Sequence, residues 1–338
     1  MHIPDGYLSP ATCAVLYAGA APFWYVSLQR MKRAFNTQMV PLLSVFAAFS
    51  FIIMMFNLPL PGGTTGHAVG VGIATIVLGP WASILGISIA LIIQAVFFGD
   101  GGITTIGANC FNMAIIGSLA TYAIYRALSG RSPIASARRV MAAGVAGYVA
   151  INLAALAAAI EFGIQPLLYH DASGAPLYAP YPLRIAIPAM MIGHLTIAGL
   201  AEMVVSAGVV AYLQKSEPAL LGRTAPGAAA QGVSENAAGN LRPLWFALAV
   251  LLILTPLGIL ATGSAWGEGV PAQAPRGLRA LSSFWTAPMP RYAPPFLKSP
   301  AFGYLLSAMI GTGLILLLVL FAGWIAQRTR AGSRRLTG

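Results

Sequence analysis

The chain has 338 residues, of which 58% are hydrophobic and only 8% charged, with a mean hydropathy of +0.78 and a formal net charge of +11. That balance excludes a soluble globular core and describes a chain built mostly of bilayer-spanning helices. The basic residues are scattered over many short loops instead of forming one patch, so the charge is not a nucleic-acid signal.

The chain opens Met1-His2-Ile3-Pro4-Asp5-Gly6-Tyr7-Leu8. No basic region stands ahead of the first apolar run, which argues against a cleaved signal peptide. The bulky His2 argues against trimming of Met1. The α-amine, the His2 amide nitrogen and the His2 Nδ1 can close a five-membered and then a six-membered ring on one metal ion. Nitrogens so placed lie nearly in a plane, a set that suits Ni(II), Cu(II) or low-spin Co(II) better than tetrahedral zinc or oxygen-loving magnesium. Pro4 and Gly6 predict an irregular plug in place of a helix, a backbone tolerated at membrane depth only where protein buries it or a cavity receives it.

Apolar runs of about 20 residues predict spans over 9–29, 40–57, 67–80, 81–98, 104–125, 139–162, 185–213, 243–262 and 303–325. The third and fourth are divided only at Gly79-Pro80. An outside N-terminus leaves five of the 19 basic residues outside, Arg184, Arg276, Arg279, Arg291 and Lys298, and puts the rest inside. The positive-inside rule therefore favours that orientation, with the C-terminus cytoplasmic.

His67 follows Pro59-Leu60-Pro61-Gly62-Gly63-Thr64-Thr65-Gly66 on the same side as Met1. This loop is too rich in Gly and Pro for a helix, and its glycines allow close approach of backbone to a ligand. Its imidazole is the candidate fourth donor. Thr64, Thr65, Gly66 and Asn109 are candidates to brace the site, as are Gln94 and Asn112, although such polar residues also serve as glue between helices. His194 and Glu202, eight positions apart on one expected helix, are too far apart to share a small ion. Hydrogen bonding between helices, or for Glu202 a contact with a partner scaffold, is the favoured reading. Asp100, in Gly99-Asp100-Gly101-Gly102, reads as a turn residue. Cys13, Cys110, Met54 and Met55 read as packing residues.

The opening octapeptide, together with Gly63-Thr64-Thr65-Gly66-His67, closely resembles the nickel/cobalt substrate-capture subunits of energy-coupling-factor (ECF) transporters, the CbiM/NikM type. The resemblance covers roughly residues 1–215. It implies an all-α, seven-helix S-component bundle whose N-terminus dips into the centre, with metal on the Met1 amine, the His2 amide and imidazole nitrogens and the His67 imidazole. Thr255-Pro256-Leu257-Gly258-Ile259-Leu260, Ser264-Ala265-Trp266-Gly267-Glu268 and Tyr304-Leu305-Leu306-Ser307-Ala308 look like the small NikN/CbiN-type accessory subunit, here fused.

The expected organisation is thus a metal-capture domain at 1–215, a flexible cytoplasmic linker at 216–240 and a two-span accessory domain at 241–338 with an extracytoplasmic loop at 264–302. The resemblance implies a membrane scaffold (T component) and ATPase subunits as partners, in a bacterial or archaeal inner membrane. No nucleic acid and no permanent cofactor is expected; Ni²⁺ or Co²⁺ is cargo, with nickel slightly favoured. The lysines are Lys32, Lys215 and Lys298, and none follows a glycine, so no P-loop is present in the sequence. A self-sufficient permease would need a more continuous polar path, and a metalloenzyme an open coordination position with a nearby acid or base.

Overall fold

The computed structural model describes residues 1–34, 39–60, 64–225, 240–260, 270–271 and 273–336. Residues 1–8 are not helical, and Met1, His2 and Ile3 at their start are buried, as expected of a plug. Helix α1 (Pro10–Ala34) begins where Ser9 accepts the Thr12 amide on its Oγ at 3.1 Å, with Pro10 in the first helical position. Helix α2 (Met39–Met54) leads to a short antiparallel hairpin of β1 (Leu58–Leu60) and β2 (Thr64–Gly66), with Leu58 opposite Gly66.

Helix α3 (Val71–Leu78) then starts after Gly70, whose φ of 72° is left-handed. A Cβ at Gly70 would come within 2.6 Å of the Phe49 ring, so both conformation and space call for glycine. The division at Gly79-Pro80 is sharp: α3 stops at Leu78 and α4 runs Pro80–Ile93, widening into a π turn at Gln94–Phe98. Helix α5 (Ile106–Asn109), a π segment at Cys110–Ile116 and α6 (Gly117–Ser129) follow one another without a break.

Helix α7 (Ala137–Gly163) owes its central place to small residues. Ala143, Gly144, Ala146, Gly147, Ala150, Ala154 and Ala158 are buried along it, and a Cβ on Gly147 would come within 2.6 Å of the Ser206 hydroxyl. Without bulk on that face, the helix packs closely against α6 and against α10 (Gly199–Ser216). Between α7 and α10 lie α8 (Gln165–Leu168), α9 (Leu183–Gly193) and a π turn at His194–Ala198.

Helix α11 (Pro218–Gly222) continues directly from α10, with Leu220 and Leu221 buried and the Thr224 hydroxyl donating to the Ile76 carbonyl. The start of the expected linker is therefore packed, and residues 226–239 of it lie outside the described residues. In the C-terminal segment, α12 (Arg242–Leu254) and α14 (Pro300–Leu336) pack against α2, and α13 (Arg276–Ser282) lies between them in sequence. Tyr304 donates to the Met55 carbonyl at 2.7 Å. Ser264–Glu268 falls outside the described residues.

Among the described residues, six helices are long and apolar enough to cross a bilayer, against nine expected spans. The difference lies at three places. Helix α2 has only 16 residues, and α3 has eight and rises about 12 Å. The stretch from Ile106 to Ser129 carries Asn109, Asn112, Ser118, Thr121 and Arg126, which lower its apolar character.

Candidate metal centre

The plug is held by the loop after α4 and by α5. Asn109 accepts the Ile3 amide on Oδ1 at 2.8 Å and donates from Nδ2 to the Ile3 carbonyl at 3.1 Å, imitating a strand partner. The Gly102 amide donates to the same carbonyl at 2.9 Å, and the Thr105 hydroxyl joins it. Asp5 accepts the Thr104 amide at 2.8 Å and the Ile103 amide at 3.2 Å. Further along, the Ser9 amide donates to Gln165 Oε1 at 2.9 Å. These bonds satisfy backbone groups that burial within the protein would otherwise leave unpaired.

These bonds bring His2 against His67. The His2 Nδ1 and His67 Nε2 lie 3.2 Å apart, with ring centroids 4.9 Å apart, and both side chains are buried. Asp100 Oδ1 also stands 3.2 Å from His2 Nδ1. The partners of the other ring atoms assign the protons. Tyr292 donates to Asp100 Oδ2 at 2.6 Å, so its oxygen is free to accept from Gln94 Nε2 at 3.0 Å. That leaves Gln94 Oε1 facing His2 Nε2 at 3.2 Å, and a carbonyl oxygen only accepts. A neutral His2 therefore carries its proton on Nε2. His67 Nδ1 faces the Ala68 carbonyl at 3.1 Å and is likewise the protonated nitrogen of a neutral ring. In these tautomers the bare nitrogens of the two rings and a carboxylate oxygen face one another.

The spacing fits a planar chelate. Two nitrogens bound at about 2 Å and at right angles lie roughly 2.8 Å apart, close to the observed separation. Met1, the neighbour of His2 in the chain, is buried with it. Among the described residues no group of three or more His, Cys, Asp and Glu side chains has ligand geometry.

Behind His67, Glu202 accepts the Val69 and Gly70 amides on Oε2 at 2.8 Å each and the Gly72 amide on Oε1 at 3.0 Å. It caps the start of α3 from another helix and fixes the segment bearing His67, so the hydrogen bonding between helices expected of it is present, made to backbone amides and not to a side chain. His194 donates from Nδ1 to the Met190 carbonyl at 2.8 Å, and its Nε2 has no hydrogen-bond partner among the described residues. Asn112 donates to Glu161 at 2.8 Å and does not reach His2. Gly66 ends β2 and is buried; Thr64 and Thr65 supply backbone to β2, and their side chains lie outside the described residues. Cys13 and Cys110 are free and buried. Asp100 is more than a turn residue, since its side chain closes the site.

Residues 2–220 match the family model described as "Cobalt uptake substrate-specific transmembrane region", CbiM. The chain belongs to the CbiM family. It is a multi-pass membrane protein. A fused nickel transport protein NikMN of Rhodobacter capsulatus is 52% identical over 98% of this chain and 100% of its own length. A probable fused nickel transport protein LarMN of Lactiplantibacillus plantarum is 44% identical over 81% of this chain and 79% of its own. A solved structure of a transition metal transporter is 52% identical, with a TM-score of 0.60, covering 64% of this chain and 93% of its own. The CbiM match ends near α11, whereas the NikMN likeness continues through the C-terminal segment.

Proposed function

We propose that this chain captures a divalent transition metal, nickel before cobalt, as the substrate-binding membrane subunit of an ATP-driven ECF transporter. The convergence of His2 Nδ1 and His67 Nε2 with no proton between them carries the reading. The Met1 amine and the His2 amide nitrogen complete four nitrogens around the ion. Loss of the amide proton supplies one negative charge and Asp100 another, so a bound dication is neutralised within its buried setting. Residues 1–215 form the capture domain, with the N-terminus outside, and the segment from 241 is a fused accessory domain. Membrane scaffold and ATPase subunits supply the work of release to the cytoplasm.

The test is nickel content and d–d absorption of the full-length protein in detergent. Native protein is expected to hold one diamagnetic, yellow nickel, and His67→Ala to lose it. Nickel retained by that variant with an unchanged spectrum would refute the four-nitrogen site. Binding expels the amide proton and, wherever the amine is charged, its proton as well. Affinity should therefore rise at least about tenfold per pH unit and fall as acid returns those protons. A flat profile between pH 6 and 8 would exclude amide ligation. Asn109→Ala, which frees Ile3, should weaken nickel by about 10–100-fold, the usual scale for groups that orient ligands; isothermal titration would reveal native affinity if the clasp did nothing.

A further inference from the structure

Tyr292 lies in the C-terminal segment, yet its phenol reaches the centre just described. It donates to Asp100 Oδ2 at 2.6 Å and accepts from Gln94 Nε2 at 3.0 Å, and these two residues are the ones set against His2. His2, Gln94, Tyr292 and Asp100 thereby close a ring of polar contacts. Burial and the Asp100 carboxylate raise the Tyr292 pKa well above the ordinary phenol value, so the proton it donates stays in place.

The surroundings aim the side chain. The Tyr292 ring stacks on Phe98 at 4.9 Å, and Phe98 follows Gln94 by one turn. The Ser307 hydroxyl holds the Tyr292 carbonyl at 3.1 Å. Arg291 and Tyr292 both take positive φ, 52° and 57°, a conformation non-glycine residues adopt only where their surroundings impose it. The same loop donates from the Met289 amide to the Phe97 carbonyl at 3.0 Å and from the Trp285 indole to the Val96 carbonyl at 2.9 Å. The loop is thus zipped along the π turn that carries Gln94.

We infer that Tyr292 is a positioning residue of the metal centre, contributed by the C-terminal segment, which sets the His2 ring through Gln94 and holds Asp100 as the counter-charge. The inference rests on the metal-capture reading above. Without the phenol oxygen, Gln94 loses the bond that orients its amide. Either end of that amide can then face His2 Nε2, and the ring's proton is no longer directed away from the metal. Asp100 loses the donor that fixes its second oxygen.

The experiment is a double-mutant cycle in the full-length protein, with nickel titrated by calorimetry and the d–d band recorded for each form. Tyr292→Phe keeps the stack on Phe98 and removes only the hydroxyl. It is expected to weaken nickel by about 10–100-fold and to alter the band, with the metal-free protein still unfolding cooperatively at a midpoint lowered by no more than a few degrees. In an Asp100→Asn background the same change should cost much less, because the two act as a unit. Native affinity and spectrum in Tyr292→Phe, or effects that simply multiply in the double variant, would overturn the inference while leaving the capture site standing. Native protein that takes up no nickel, or holds it equally well after His2→Ala, would overturn both.

Discussion

A single residue added ahead of Met1 is expected to abolish stoichiometric nickel binding. The extension turns the terminal amine into a peptide nitrogen and breaks the five-membered ring that pairs it with the His2 amide. It also pushes new atoms into the buried pocket that holds Met1. His2→Ala removes the imidazole from the opposite end of the chelate. Each donor of a chelate is held at an effective concentration far above that of a free ligand, so either change should cost at least on the order of a thousandfold in affinity. Metal analysis after desalting, with the d–d spectrum, reads the result. An extended chain that keeps one nickel and its native band would show that the amine is no ligand, and the proposed centre would fall with it.

The second large effect is expected at Glu202. Its carboxylate receives three backbone amides at the start of α3, and the residue is fully buried. Glu202→Ala strands those donors where no water can reach them, a loss of about 3–5 kcal/mol. The unfolding midpoint in detergent should fall by roughly 5–10 °C. Nickel affinity should fall as well, because Val69 and Gly70 lie immediately after His67 and Ala68. Glu202→Gln keeps one oxygen for the Val69 and Gly70 amides but turns its amino group toward the Gly72 amide, so it should lie between. An alanine variant as stable as native protein, binding nickel normally, would rule out the carboxylate as the anchor of this segment.

Glu202 also marks where sequence reasoning stopped. Its burial in an apolar helix was legible, since a carboxylate there must be satisfied. Its partner was not, because the amides of Val69, Gly70 and Gly72 leave no side-chain signature and lie at least 130 positions away. The two histidines were legible for a different reason. His2 forms its chelate with its own neighbours, and His67 stands in a loop whose Gly and Pro content excludes helix. The break at Gly79-Pro80 was readable because proline favours the first position of a new helix. The short helices were harder: an eight-residue α3 preceded by non-helical chain has the composition of a full span. Gln94, Asp100 and Tyr292 gave no local signal as a group. Their meeting depends on a π turn that rotates Gln94 inward and on a loop about 190 residues later in the chain. Asp100 among glycines looked like an ordinary turn, which it is in its backbone alone.

The attachment of the C-terminal segment has a consequence for how the assembly behaves on dilution. Leu278 pairs its amide with the Leu177 carbonyl at 3.1 Å, Met289 and Trp285 bond to the turn after α4, and Tyr292 enters the polar ring. As a separate polypeptide, a partner held by these contacts would leave whenever its concentration fell below the dissociation constant. Tied through residues 226–239, it faces its binding surface at an effective concentration on the order of millimolar at every cellular abundance. The junction therefore needs only modest intrinsic strength to remain occupied, and such a loop can lift and return many times without being lost. One-to-one stoichiometry follows from covalent continuity and requires no tight interface to enforce it.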